Sequence, residues 1–169
     1  MTKYEEIAGT LGSYCEALWK ERDQMEGVAL GLRTTIVTLG GIPEDRFGFA
    51  TAMEEFNEGQ EYSVRDACTL ECGHWAFHYY LKVLRGNDLS PIVYYHFTVY
   101  LAAKGRDFLA KLVAKEIKRE VLIELDDAEK GLVDFGNLVL EECLEYFKEL
   151  AANPSKTPER TVHGFAPVK

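Results

Sequence analysis

Positive charge is scarce in this chain: 19 Lys and Arg stand against 28 Asp and Glu, a formal net charge of −9. A surface this acidic repels phosphate backbones and anionic headgroups, so neither nucleic acid nor a membrane is expected as a partner. The last seventeen residues, from Asn153, are net basic, with Lys156, Arg160 and Lys169 against Glu159. Cysteine is confined to Cys15, Cys68, Cys72 and Cys143, with no Cys-x-x-Cys pair. All four fall in apolar patterns, where Cys acts as a small hydrophobe, so reduced core thiols are expected in place of a disulfide framework or a zinc site. There are only four histidines, and the phosphate-loop, dinucleotide and nucleophile-elbow motifs are all missing. No complete catalytic set is visible, and the reading leans away from an enzyme. Long apolar runs are missing too. The most apolar stretch, 92–103, contains His96 and Thr98 and falls well short of the roughly 20 residues that span a bilayer. The chain turns acidic at Glu5 and Glu6, where a signal peptide carries its apolar segment. A cytoplasmic location is the expectation.

What is present is ample apolar content, 47% of 169 residues, enough for one domain with a buried core. Residues 3–39 read as a long helix. Tyr4, Ile7, Leu11, Tyr14, Leu18, Met25, Val28, Leu32 and Ile36 recur at steps of three and four, like a heptad seam. Such a seam wants a partner along its whole length, in this chain or another. Gly9, Gly12, Gly27 and Gly31 within it mark close backbone approaches or a bend, and Gly40-Gly41 stops it. A short helix is expected at 43–56. Ser63 with Asp66 reads as a capping box for a third helix to Arg85. Ser90-Pro91 opens a fourth, apolar nearly all round, that runs on past a kink at Gly105 toward Val121. Asp126 or Asp127 caps a last helix over 128–151. The expected fold is all-α: an up-and-down bundle of four main helices plus one short helix over 1–152, then an extended basic tail over 153–169.

Three constellations carry possible chemistry. Glu71, His74 and His78 have the Glu-x-x-His and His-x-x-x-His spacing that places metal ligands on one helical face, and His96 offers a fourth ligand. Such donors suit iron, manganese or zinc. Against this, Glu71, His74, His78, Lys82 and Arg85 share one helical sector and read equally as a solvated face, and His96 as a satisfied core residue. The aromatic centre around Trp75, Tyr79, Tyr80, Tyr94, Tyr95 and Tyr100 reads as core or as a pocket for a flat ligand. In the tail, Val162, Phe165 and Val168 are spaced as anchors for a partner or sister subunit. The leading expectation is a non-catalytic helical accessory or adaptor subunit that assembles through its apolar seams, with a protein partner or a copy of itself. The alternatives are a ferritin-like or redox metal- or cofactor-binding bundle and a small-ligand sensor.

Overall fold

The heptad-patterned segment forms the longest element, α1 (Lys3–Gly40). Its ends are chemically specified. The Thr2 side chain accepts from the Glu5 N–H while the Glu5 carboxylate accepts from the Thr2 N–H, at 3.3 and 2.6 Å, satisfying donors that the first turn leaves orphaned. Gly41, at φ +57°, closes the other end in the left-handed region. The computed structural model describes residues 1–51, 55–57, 59–83, 92–114, 117–153 and 165–167.

Between α1 and the last helix, α2 (Ala128–Ala152), the chain builds most of a sheet, which β7 joins after α2. Its strands are β1 (Phe47–Phe49), β2 (Cys68–Glu71), β3 (His74–Val83), β4 (Val93–Lys104), β5 (Asp107–Ala114), β6 (Ile117–Ile123) and β7 (Phe165–Pro167). All pairings are antiparallel, in the order β1-β3-β4-β5-β6. β2 shares the β3 edge with β1, and β7 sits on the β4 edge beside β5. The two edge partners of β3 meet at His78, whose N–H donates to the Ala67 carbonyl (3.0 Å) and whose carbonyl accepts from the Ala50 N–H (2.9 Å).

The all-α bundle is therefore overturned. The expected helix at 43–56 is a single 3₁₀ turn, Glu44–Arg46, followed by β1. The expected helix at 63–85 is a turn and the β2–β3 hairpin, and the expected helix from 90 toward 121 is β4, β5 and β6. Arg85 and Ser90-Pro91, the expected helix boundaries, lie outside the described residues. The Ser63–Asp66 box does form, with Oγ to carboxylate at 2.7 Å, but it closes one turn (Ala67 N–H to Ser63 carbonyl, 3.2 Å) and no helix follows.

The physical reason is a period of two. Trp75, Phe77 and Tyr79 on β3 and Tyr95, Phe97, Val99 and Leu101 on β4 alternate onto one face and are all buried there. Helices cover that face with Met25, Ala29, Leu32 and Ile36 from α1 and Phe135, Val139 and Cys143 from α2. A sheet with one face packed under two helices is a standard two-layer solution. The turns follow from glycine. Cys72 (φ +50°) and Gly73 (φ +77°) link β2 to β3, and Gly105 (φ +65°) opens the turn from β4 to β5. Positive φ at these two-residue loops matches the twist of a hairpin. Of the α1 glycines, Gly9, Gly12 and Gly27 have nothing within 4 Å of an added Cβ. Gly31 meets Leu132 at 3.3 Å, so it alone of the four marks a packing contact.

Candidate partner interface

α1 touches the body from Leu18 onward, and its fully buried residues begin at Met25. Successive residues on a helix are about 100° apart, so Met25, Ala29, Leu32 and Ile36 lie on one narrow stripe, all at 0% exposure. The same stripe continues toward the N-terminus as Leu18, Tyr14, Leu11, Ile7 and Tyr4. There the body has ended: Tyr14 and Leu11 are 59% exposed, Ile7 66% and Tyr4 78%. Residues 3–17 thus form an arm whose stripe of Tyr4, Ile7, Leu11 and Tyr14 points to the side on which the sheet lies but is left exposed, while Leu18 at its root is partly buried against the core. Glu21 and Arg22 interrupt the stripe at the root of the arm, and Arg22 pairs with Glu26 at 3.6 Å.

The middle of the exposed stripe is flanked by small residues, Ala8 and Cys15 on one side and Thr10 and Ala17 on the other, with Lys3, ion-paired to Glu6 at 2.8 Å, beside it at the tip. Charged residues of the arm, such as Glu5, Glu6, Glu16 and Lys20, project away from it. Trp19 is 55% exposed. At the root a cavity of about 540 Å³ opens between α1, the β4–β5 turn and α2. Gln24, Gly27, Val28, Phe108, Leu125 and Leu132 line it.

The sheet face turned away from the helices gathers the residues singled out for metal. Glu71 and His74 are cross-strand partners, His78 pairs with Thr98 and Tyr80 with His96, so all lie on this face. Sharing a face does not bring them together. At about 3.3 Å per residue, His74 and His78 are roughly 13 Å apart along β3, where a helix would have stacked them one turn apart. Their bonds lead elsewhere. His74 Nδ1 lies 3.2 Å from the Cys72 carbonyl, His78 Nδ1 lies 3.0 Å from Thr98 Oγ1, and the Glu71 carboxylate accepts from the Tyr100 hydroxyl at 3.4 Å. Burial lowers the His78 pKa from its ordinary value, with the Glu71 charge opposing. His96 is buried under Phe56, whose ring meets it edge-on at 4.7 Å. Among the described residues no group of three or more His, Cys, Asp or Glu is placed to hold a metal ion. The ligand set for iron, manganese or zinc depended on helical geometry and falls with it.

Phe56 also packs on Tyr80 and Tyr94, both at 5.5 Å. Beside this cluster a cavity of about 670 Å³ is lined by Arg33, Phe56, Tyr62, Tyr80, Lys82 and Tyr94 among others. The Lys82 ammonium lies 5.7 Å from the centre of the Tyr94 ring. The four cysteines are free thiols. Burial pushes Cys143 up to about 12 and Cys68 up to about 11. Cys72, expected in the core, is exposed in a turn, and Cys15 is on the arm. In the tail, the Phe165 backbone pairs with Tyr95 in β7, while Val162 and Val168 lie outside the described residues. No described helix is long and apolar enough to cross a membrane.

The seam of α1 was expected to find a partner, but its exposed part was not singled out, because periodicity reports which residues share a face and not where the cover ends. The break at Glu21 and Arg22 was the available signal. No protein-family model matches the chain, and no curated protein or solved structure shows significant similarity to it.

Proposed function

We propose that this chain is a non-catalytic assembly subunit, a helix-on-sheet body that presents the free arm of α1 to another polypeptide. The observation that carries this is the run Tyr4, Ile7, Leu11 and Tyr14, each more than half exposed on one stripe. Single exposed apolar residues are ordinary, but a contiguous patch of them marks an interaction surface. An amphipathic helix is a common vehicle for such recognition. Radical footprinting of the full-length protein in intact cells tests it: Tyr4 and Tyr14 are expected to label several-fold less than the same tyrosines in the Ile7→Glu/Leu11→Glu variant. Equal, high labelling in both overturns the proposal.

A second reading, small-ligand binding, is supported by the 670 Å³ aromatic cavity with its Arg33 and Lys82, a volume inside the usual range for ligand sites. A thermal-shift screen with aromatic carboxylates tests it. The reading requires a hit that Lys82→Ala abolishes, and it fails if the screen returns none.

A further inference from the structure

Resting on the assembly reading, we infer that the occupant of the arm is a second copy of this chain, paired through α1 in an antiparallel two-fold contact. Steric placement comes first. The body of each copy lies on the same side of α1 as the exposed stripe, beginning near Leu18 and Met25. Parallel pairing, stripe to stripe, puts two bodies in the same space. Antiparallel pairing sets each body beyond the N-terminus of the other arm, where the space is open. Opposing Leu11 with the partner's Tyr14, and Ile7 with the partner's Leu18, gives the register with the longest overlap. It brings Tyr4 against the partner's Glu21 and the partner's first residues level with the 540 Å³ cavity at the arm's root.

Charge agrees. The chain carries a formal net charge of −9. An arm of some 20 residues, at about 1.5 Å each, holds the two bodies roughly 30 Å apart, beyond the roughly 8–10 Å over which exposed charges act at physiological ionic strength. Along the middle of the stripe the flanking Ala8, Thr10, Cys15 and Ala17 offer no repulsion between like helices, and the charges that border it nearer its ends, Lys3 and Glu21, are of opposite sign and stand level with each other in this register. Area agrees as well. Tyr side chains bury about 150–250 Å² each, so with the exposures above the two stripes together remove on the order of 1,000 Å², the size at which specific interfaces begin. Two-fold contacts of this self-complementary kind are the commonest oligomeric solution.

The test uses the purified full-length chain. Sedimentation is expected to give twice the chain mass at micromolar concentration, and Ile7→Glu/Leu11→Glu to raise the dissociation constant at least 100-fold. The substituted side chains are exposed, so the body stays folded, which the far-ultraviolet spectrum and melting point check. Orientation is read by disulfide trapping in a Cys72→Ser background. In the antiparallel register Ala8→Cys meets Cys15 of the partner, because like flanks face each other; in a parallel pair Thr10→Cys does. Rapid cross-linking of Ala8→Cys and not Thr10→Cys is the expected result. The reverse pattern, a monomer, or a dimer indifferent to Ile7→Glu/Leu11→Glu overturns the inference. A monomeric purified chain whose Tyr4 and Tyr14 are nonetheless protected in cells sinks the self-pairing and leaves the assembly reading standing.

Discussion

At Gly131 on α2 an added Cβ meets the Cα of Ile123 at 2.9 Å. Backbone does not yield as a side chain does, so Gly131→Ala is expected to destabilise the protein by about 1–3 kcal/mol. At Gly12 on α1 the same change meets nothing within 4 Å and removes a poor helix former, so stability is expected to rise by up to about 1 kcal/mol. Urea unfolding of the two variants checks both signs. His78 supplies a pH dependence. Its pKa is lowered in the folded state, chiefly by burial. Above the ordinary His value of about 6.5 both folded and unfolded forms are neutral and no difference arises. As the pH falls below that value the unfolded chain takes up a proton that the folded chain resists, so stability declines through the window down to the folded pKa. His78→Gln, which can keep a bond to Thr98, is expected to flatten this decline in melting temperature measured between pH 7 and 5.

At the scale of elements, the β4–β5 hairpin turns on one residue. Gly105 sits at φ +65°, a conformation that costs a side-chain-bearing residue about 1–2 kcal/mol. Gly105→Ala is expected to lower stability by that amount in chemical unfolding, whereas a kink within a helix would have gained from the same change. The two helices were legible from sequence because their signals are unambiguous: a long seam at steps of three and four stopped by Gly40-Gly41 marks α1, and the α2 seam of Phe135, Val139 and Cys143 repeats every four residues. The strands were misread at a specific ambiguity. His74, His78 and Lys82 are four apart, and a step of four returns to the same face in a helix and in a strand alike. The residues that discriminate are those at steps of two. Ala76 and Tyr80 share the face of His78, while Trp75, Phe77 and Tyr79 fill the other, as only a strand allows. Being apolar themselves, Ala76 and Tyr80 hid the alternation. The glycines at 73 and 105 were the second signal, readable as hairpin turns once the period was two. The metal cluster failed for the same reason as the helix that was to hold it, and the arm's stripe survived because α1 did.

At the scale of the whole molecule, arm and body are separable in what holds them. No buried core residue precedes Met25 on α1, and the anchors of the second half, Tyr79 hydroxyl to Ala29 carbonyl (2.9 Å) and Arg65 to Asp23 and Glu26 (3.1 and 3.0 Å), all lie at or beyond Asp23. Deleting residues 2–17 is therefore expected to shift the melting point of the body by no more than about 3 °C, given the roughly 2–4 °C per kcal/mol typical of this size. Calorimetry of the truncated chain at low concentration, where pairing contributes nothing, measures it.

The placement of the two tryptophans, Trp19 on the arm at 55% exposure and Trp75 in the core at 5%, gives the chain a built-in pair of optical reporters. An aqueous quencher such as iodide reaches the first indole and not the second, so the quenchable fraction of the emission follows the arm while the unquenched remainder follows the body. One unlabelled sample can thus be watched for what happens on its arm and in its interior at the same time.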